Sequence, residues 1–185
     1  MLTPLKNFIE QKIELIDSND FATLYRQASR FFDEDDTGEL IPELTQMLLE
    51  VGIDPLTHMK FIPKYYLAGT DIKEFYVPDH ILTISEFAFS HCFHLTKLTL
   101  SPSISIEGGA FLNCSSLKEI TFRGKVPRLS YGAFRWCGSV KDVYYPGTIR
   151  EYTMISHAGK LEESINLEST IHCSDGDILG KDIIS

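Results

Sequence analysis

The sequence predicts an α/β protein, a small helical cap followed by a short repeat solenoid with a parallel sheet. Three observations lead there. Apolar residues recur at helical spacing through residues 1–60. A pattern built on Ala-Phe then returns at Ala88, Ala110 and Ala133, in steps of 22 and 23 residues. The charge also changes sign near the change of pattern. Of the formal −9, residues 1–74 hold 7 basic and 14 acidic side chains (−7), residues 75–149 hold 7 and 5 (+2), and residues 150–185 hold 3 and 7 (−4).

Composition bounds the answer. A chain of 185 residues, 43% hydrophobic and 23% charged, is expected to fold as one domain or two small ones, not to be disordered. No stretch approaches the ~20 apolar residues of a membrane span. Lys6, Glu10, Lys12 and Glu14 interrupt the first turns, so a secretory signal is not expected there. Without one, the 4 cysteines are expected as reduced thiols in a cytoplasm. The acidic balance argues against simple electrostatic attachment to nucleic acid or anionic lipid.

The cap is read as three helices. Thr3-Pro4 offers an N-cap followed by proline at the first helical position. Leu5, Phe8, Ile9, Ile13 and Ile16 then make one apolar face. Ser18-Asn19-Asp20 ends that helix and caps the next, whose face is Phe21, Leu24, Tyr25, Ala28, Phe31 and Phe32. The third helix carries Leu40, Leu44, Met47, Leu48 and Val51, and Gly52 with Pro55 stops it. Aromatics at this spacing are read as core.

Between helices two and three, Asp33-Glu34-Asp35-Asp36-Thr37-Gly38-Glu39-Leu40 looks like a calcium loop. Its acids, glycine and aliphatic stand at the right places for an ion that takes six to eight oxygens. The twelfth position should be a bidentate glutamate and is Leu44, while Glu43 stands one place early and Pro42 stiffens the approach. An acidic turn is therefore preferred over a physiological calcium site.

The repeats follow. Ala88-Phe89-x-x-Cys92-x-x-Leu95-x-x-Leu98-x-Leu100 matches Ala110-Phe111-x-x-Cys114-x-x-Leu117-x-x-Ile120-x-Phe122 and Ala133-Phe134-x-x-Cys137-x-x-Val140-x-x-Val143-x-Tyr145. Ile72-Lys73-Glu74-Phe75-Tyr76-Val77-Pro78 is an earlier partial copy. This period falls in the leucine-rich-repeat range. Each coil contributes one short strand, and the strands stack in parallel with the repeated apolar residues inward. No coil buries its own apolar face, so the array needs caps, and the helical region is placed as the first. The division is 1–60 for the helical domain and 61–185 for the solenoid with its closing coil. Pro102 to Ala110 is two residues shorter than Pro78 to Ala88, which predicts a local pinch.

The Ala-Phe-x-x-Cys-x-x-Leu-x-x-Ile pattern, preceded by Pro78-x-x-Ile81-x-x-Ile84-x-x-x-Ala88, resembles the BspA-like class of leucine-rich repeats. Tyr144-Tyr145-Pro146-Gly147-Thr148-Ile149 and Thr170-Ile171-His172-Cys173-Ser174-Asp175-Gly176-Asp177-Ile178 resemble the closing coil of such arrays. Phe61-Ile62-Pro63-Lys64-Tyr65-Tyr66-Leu67-Ala68-Gly69-Thr70 resembles the lead-in of short members, including those of bacteria and bacteriophages. The resemblance implies the fold over about 61–178 and, for function, the binding of proteins or surfaces.

Cys92, Cys114 and Cys137 share one repeat position and are read as small buried hydrophobes. The alternative is a metal set with His91, His94, His172 and Cys173, but no Cys-x-x-Cys pair exists and no metal is assigned. The sequence has no Gly-rich phosphate loop, no G-x-S-x-G and no H-E-x-x-H, so no catalytic residue or cofactor is assigned.

The strand residues between inward positions are expected on the concave face: Glu74 and Tyr76, Lys97 and Thr99, Glu119 and Thr121, Asp142 and Tyr144. Tyrosine at both ends suits a partner-binding surface. Arg123, Lys125, Arg128 and Arg135 with Trp136 form a secondary basic patch, suited to an acidic partner or a nucleic-acid backbone. The expected function is a non-enzymatic protein-binding module of a bacterium or phage that modulates a host protein. The alternative is an acidic nucleic-acid mimic acting through the N-terminal region. Strand edges at the solenoid ends would allow a homodimer. Residues 156–169 show no period, and are expected as an excursion or a short helix before the last strand.

Overall fold

The computed structural model describes residues 2–32, 40–124, 128–156 and 168–183. Helices α1 (Leu2–Gln11) and α2 (Ile13–Asp17) are separated by a break at Lys12, whose φ of −117° leaves the helical range. The helix therefore begins at Leu2, ahead of the expected Thr3 cap, and the single face splits. Phe8 is buried while Ile13 is 58% exposed. Asp20 accepts a hydrogen bond from Thr23 N at 3.1 Å and caps α3 (Phe21–Phe32), which buries Phe21, Leu24, Tyr25 and Ala28.

The proposed calcium turn, 33–39, lies outside the described residues. Leu44, at its twelfth position, is buried in the core. Helix α4 (Leu40–Glu50) also buries Ile41 and Leu48, and Thr45 accepts or donates to the Tyr25 hydroxyl at 2.8 Å. Met47 and Val51, expected on this face, are exposed. Gly52, at φ +81°, ends α4 as expected. A 3₁₀ turn (Pro55–His58) follows, capped by Asp54.

The solenoid has two sheets. The long one comprises β2 (Glu74–Tyr76), β4 (Lys97–Leu100), β6 (Glu119–Phe122), β8 (Asp142–Tyr144), β9 (Thr170–Cys173) and β10 (Gly176–Leu179). Its first five strands are parallel, and β10 folds back antiparallel on β9. The short sheet, of two-residue parallel strands, is β1 (Phe61–Ile62), β3 (Thr83–Ile84), β5 (Ser105–Ile106) and β7 (Arg128–Leu129). Helix α5 (Ile149–Ser156) precedes the last hairpin and α6 (Gly180–Ile183) follows it. The unperiodic stretch thus opens only after α5, and 157–167 lies outside the described residues.

The repeated residues have separable jobs. Phe89, Phe111 and Phe134 are fully buried and stack face to face, with centroids 5.1 and 4.9 Å apart. Each repeat cysteine donates to a backbone carbonyl of the previous coil: Cys92 to Leu67, Cys114 to Phe89, Cys137 to Phe111, at 3.1–3.2 Å. Pairing the thiol this way offsets the cost of burying its weak donor. One apolar core joins cap and solenoid, since Tyr25 packs on Tyr66 and Tyr66 on Phe89.

The coil that holds Pro102 is shorter than its neighbour by one residue. Lys97 pairs with Glu74 and Glu119 with Lys97, steps of 23 and 22. That register sets Ser101, not Pro102, opposite Pro78, so the two prolines are not equivalent. The coils do come close at this point. A Cβ on Gly124 would lie 1.6 Å from the Pro102 carbonyl oxygen, so only glycine fits.

Candidate functional site: the outward face of the long sheet

Parallel pairing in register turns eight residues scattered over 71 positions (74 to 144) into two straight rows. Glu74, Lys97, Glu119 and Asp142 form the first. Tyr76, Thr99, Thr121 and Tyr144 form the second. Between them Leu98, Ile120 and Val143 point inward and are buried. At ~4.8 Å per strand, the two tyrosines stand about 14 Å apart. They are 58% and 41% exposed.

The rows continue one strand further than the sequence reading took them. Thr170 extends the first and His172 the second. His172 stacks on Tyr144 with centroids 4.6 Å apart and planes 17° from parallel. Its Nε2 lies 3.1 Å from Asp142 and its Nδ1 3.1 Å from Asp177. The Asp142 hydrogen bond, with Asp177 in support, holds the imidazole above its ordinary range against partial burial. The signal was present in the closing segment, but only the register shows that His172 follows Tyr144.

The first row holds three acids and one base, and one pair within it is matched. Lys97 and Glu119 pair at 2.7 Å, and that hydrogen bond keeps Lys97 above the usual lysine range. Beside Asp142 a cleft of about 590 Å³ opens between Lys118, Lys141 and Glu168.

The secondary basic patch is dispersed. Arg123 belongs to the Tyr76 end of the rows. Its guanidinium sits 4.2 Å over the Tyr76 ring, donates to the Tyr76 hydroxyl and to Asp79, and reaches the carbonyls of Val77 (2.7 Å) and Leu100 (3.0 Å). Its side chain is only 22% exposed, so it orders Tyr76 and offers little free charge. Lys125 lies outside the described residues. Arg128 is exposed on the short sheet, beside a second cleft with Thr83 and Ser105. Arg135 stacks on exposed Trp136 at 5.0 Å, and Trp136 holds a left-handed φ of 64°.

The cysteines and histidines of the metal alternative have other partners. Cys92 and Cys114 donate to carbonyls, His94 meets Asp71 at 3.0 Å, and His91 packs edge-on against Phe93. Neighbouring Cys137 and Cys92, with burial, push the Cys114 thiol far up. Among the described residues no three His, Cys, Asp or Glu side chains converge as a metal site. No helix among them is long and apolar enough to cross a membrane.

No curated protein and no solved structure matches the chain. A family profile does: BspA type leucine rich repeat region, in six copies over residues 56–175. The sequence reading had aligned three full copies and one partial one. With the profile covering well over half of its length, and with the parallel coils and repeated Ala-Phe and Cys positions described above, the chain belongs to the BspA-type leucine-rich-repeat family.

Proposed function

We propose that the chain is a non-enzymatic protein-binding module, with the two outward rows of the long sheet as its partner surface. Leucine-rich repeats generally mediate protein–protein interaction, and such solenoids are typically scaffolds for binding. The observation that carries the assignment to this face is the pre-ordering of both end tyrosines. Tyr76 is held by Arg123 and Tyr144 by His172, so each offers apolar area and a polar tip with little left to order on binding. The finer parts of the proposal are a bacterial or bacteriophage origin, a cytoplasmic location and a host protein as the bound and modulated partner. The resemblance of the lead-in segment supports the origin and the host partner, and four cysteines, none in a described disulfide, support the cytoplasmic location. The division at residue 60, with the helices as a cap, belongs to the same proposal.

Affinity capture from host lysate, compared between the native chain and the Tyr76→Ala/Tyr144→Ala variant, tests it. Capture should fall while the melting temperature stays nearly unchanged, because both rings are exposed. Undiminished capture by the double variant would place the partner elsewhere.

A further inference from the structure

The two edges of the long sheet are built differently. At one, β10 packs with α5 and α6. At the other, β4 is the one substantial neighbour of β2 among the elements. In a parallel ladder, both backbone groups of a residue face the same side, and the side alternates along the strand. Lys73 O accepts from Thr96 N and Val77 N donates to Thr99 O, so the odd-numbered residues face β4. Glu74 and Tyr76 therefore aim their N–H and C=O groups away from the sheet, and no described residue pairs with them.

Among the described residues the helical cap makes no substantial contact with β2. Its contacts run to the turns below: Tyr25 to Tyr66, and the Leu56 carbonyl to His80 Nε2 at 2.7 Å. Proteins blunt open edges with short strands and charge. Three-residue β2, bearing Glu74 and followed by Pro78, has both devices yet keeps its backbone groups exposed.

We propose that an extended, lysine- or arginine-bearing segment of the partner adds to the long sheet as a strand beside β2. This rests on the protein-binding reading above and adds the partner's local conformation and charge. The free N–H and C=O groups of Glu74 and Tyr76 supply main-chain pairing for an incoming strand. Arg123 fixes the Tyr76 ring at that edge in advance. Charge selects the sign. Asp79 is already paired with Arg123, and Lys97, the register neighbour of Glu74, with Glu119. Asp71 and Glu74 remain exposed at the edge against Lys73 alone, and a cation on an added strand would stand beside Glu74. A cationic strand is drawn to this end and an acidic one repelled.

The test uses the full chain and two capped hexapeptides, one alternating lysine with valine and one alternating glutamate with valine. Site-resolved amide exchange is followed by NMR. In the free chain the Glu74 and Tyr76 amides should exchange quickly while Phe75 and Val77 are protected. Saturating lysine–valine peptide should slow Glu74 and Tyr76 by about tenfold, and the glutamate peptide should not. Glu74→Pro removes only the outward N–H, at an edge where proline is tolerated. It should bind the lysine peptide about tenfold more weakly than Glu74→Ala, which loses the same carboxylate. If Glu74→Pro does not fold, exchange in the native chain decides. Several results overturn the proposal: equal binding of the acidic peptide, no binding at millimolar peptide, or β2 amides already protected in the free chain by a second copy. Shifts confined to the Thr99, Thr121 and His172 face, with Glu74 and Tyr76 still exchanging quickly, overturn it while leaving the outward-face reading standing.

Discussion

The C-terminal and N-terminal ends of this solenoid solve the same problem in different ways. A stack of coils must stop, and stopping exposes apolar rings and strand edges. At the C-terminal end the chain covers the rings and packs α5 and α6 against its edge strand, β10. Tyr152 of α5 is buried with Tyr145 packed edge-on at 5.4 Å, Thr170 N donates to Lys141 O, and the β9–β10 hairpin completes the sheet. At the N-terminal end the helices cover the rings and leave the edge. Phe21, Leu24 and Tyr25 seal the Tyr66 side, and two of the three β2 residues keep their backbone groups outward. The difference teaches that a solenoid's cap and its sheet edge are separate features, and that one can be closed while the other is left for a partner.

The largest effect should come from cutting the link between the ends. Phe111 stands between Phe89 and Phe134 in the stack and is fully buried. Phe111→Ala should cost about 3–5 kcal/mol in denaturant unfolding, and protection should fall at both ends alike. Loss at one end only would show that the ends fold independently.

Next is Arg123→Met, which keeps much of the stem but deletes four hydrogen bonds at the open end. We expect about 1–3 kcal/mol, with exchange rising around Tyr76 to Asp79 and unchanged in β9 and β10. Equal loosening at the closed end would contradict the contrast.

A smaller effect, at the closed end, depends on pH. The folded-state pKa of His172 is raised, chiefly by its hydrogen bond to Asp142. A raised pKa means that the folded state binds the proton more tightly. The clamp's contribution is therefore full below the ordinary histidine value near 6.5 and is lost as pH rises through the higher folded value. Because the group is partly exposed, the change should stay below about 1 kcal/mol. It should appear as falling protection in β9 and β10 across that window, relative to the intrinsic exchange rate at each pH, with β2 protection unchanged. His172→Gln should remove the pH dependence.

Much of this was legible in the sequence, for a definite reason. Residues repeated in every coil see the same neighbours in every coil, so Ala-Phe, Cys and the strand positions could be read by alignment, and the eight row residues fell into register. What was missed has no repeat to announce it. Arg123 reaches Tyr76 across 47 positions, skipping a coil, so its charge looked free. His172 joins its row only through strand pairing. The short sheet's strands have two residues each, too few to show a period, and the break at Lys12 is a local backbone choice that left Ile13 outside.

The most direct test of the outward-face reading places a photo-crosslinking residue at Thr121, in the middle of the second row, and in a separate chain at Arg135, on the turn beside Trp136. Both are irradiated in host lysate with the protein otherwise native. The account predicts that the same partner is crosslinked from Thr121 and not from Arg135. A partner crosslinked from Arg135 alone would contradict it and move the binding site to the turns of the third coil.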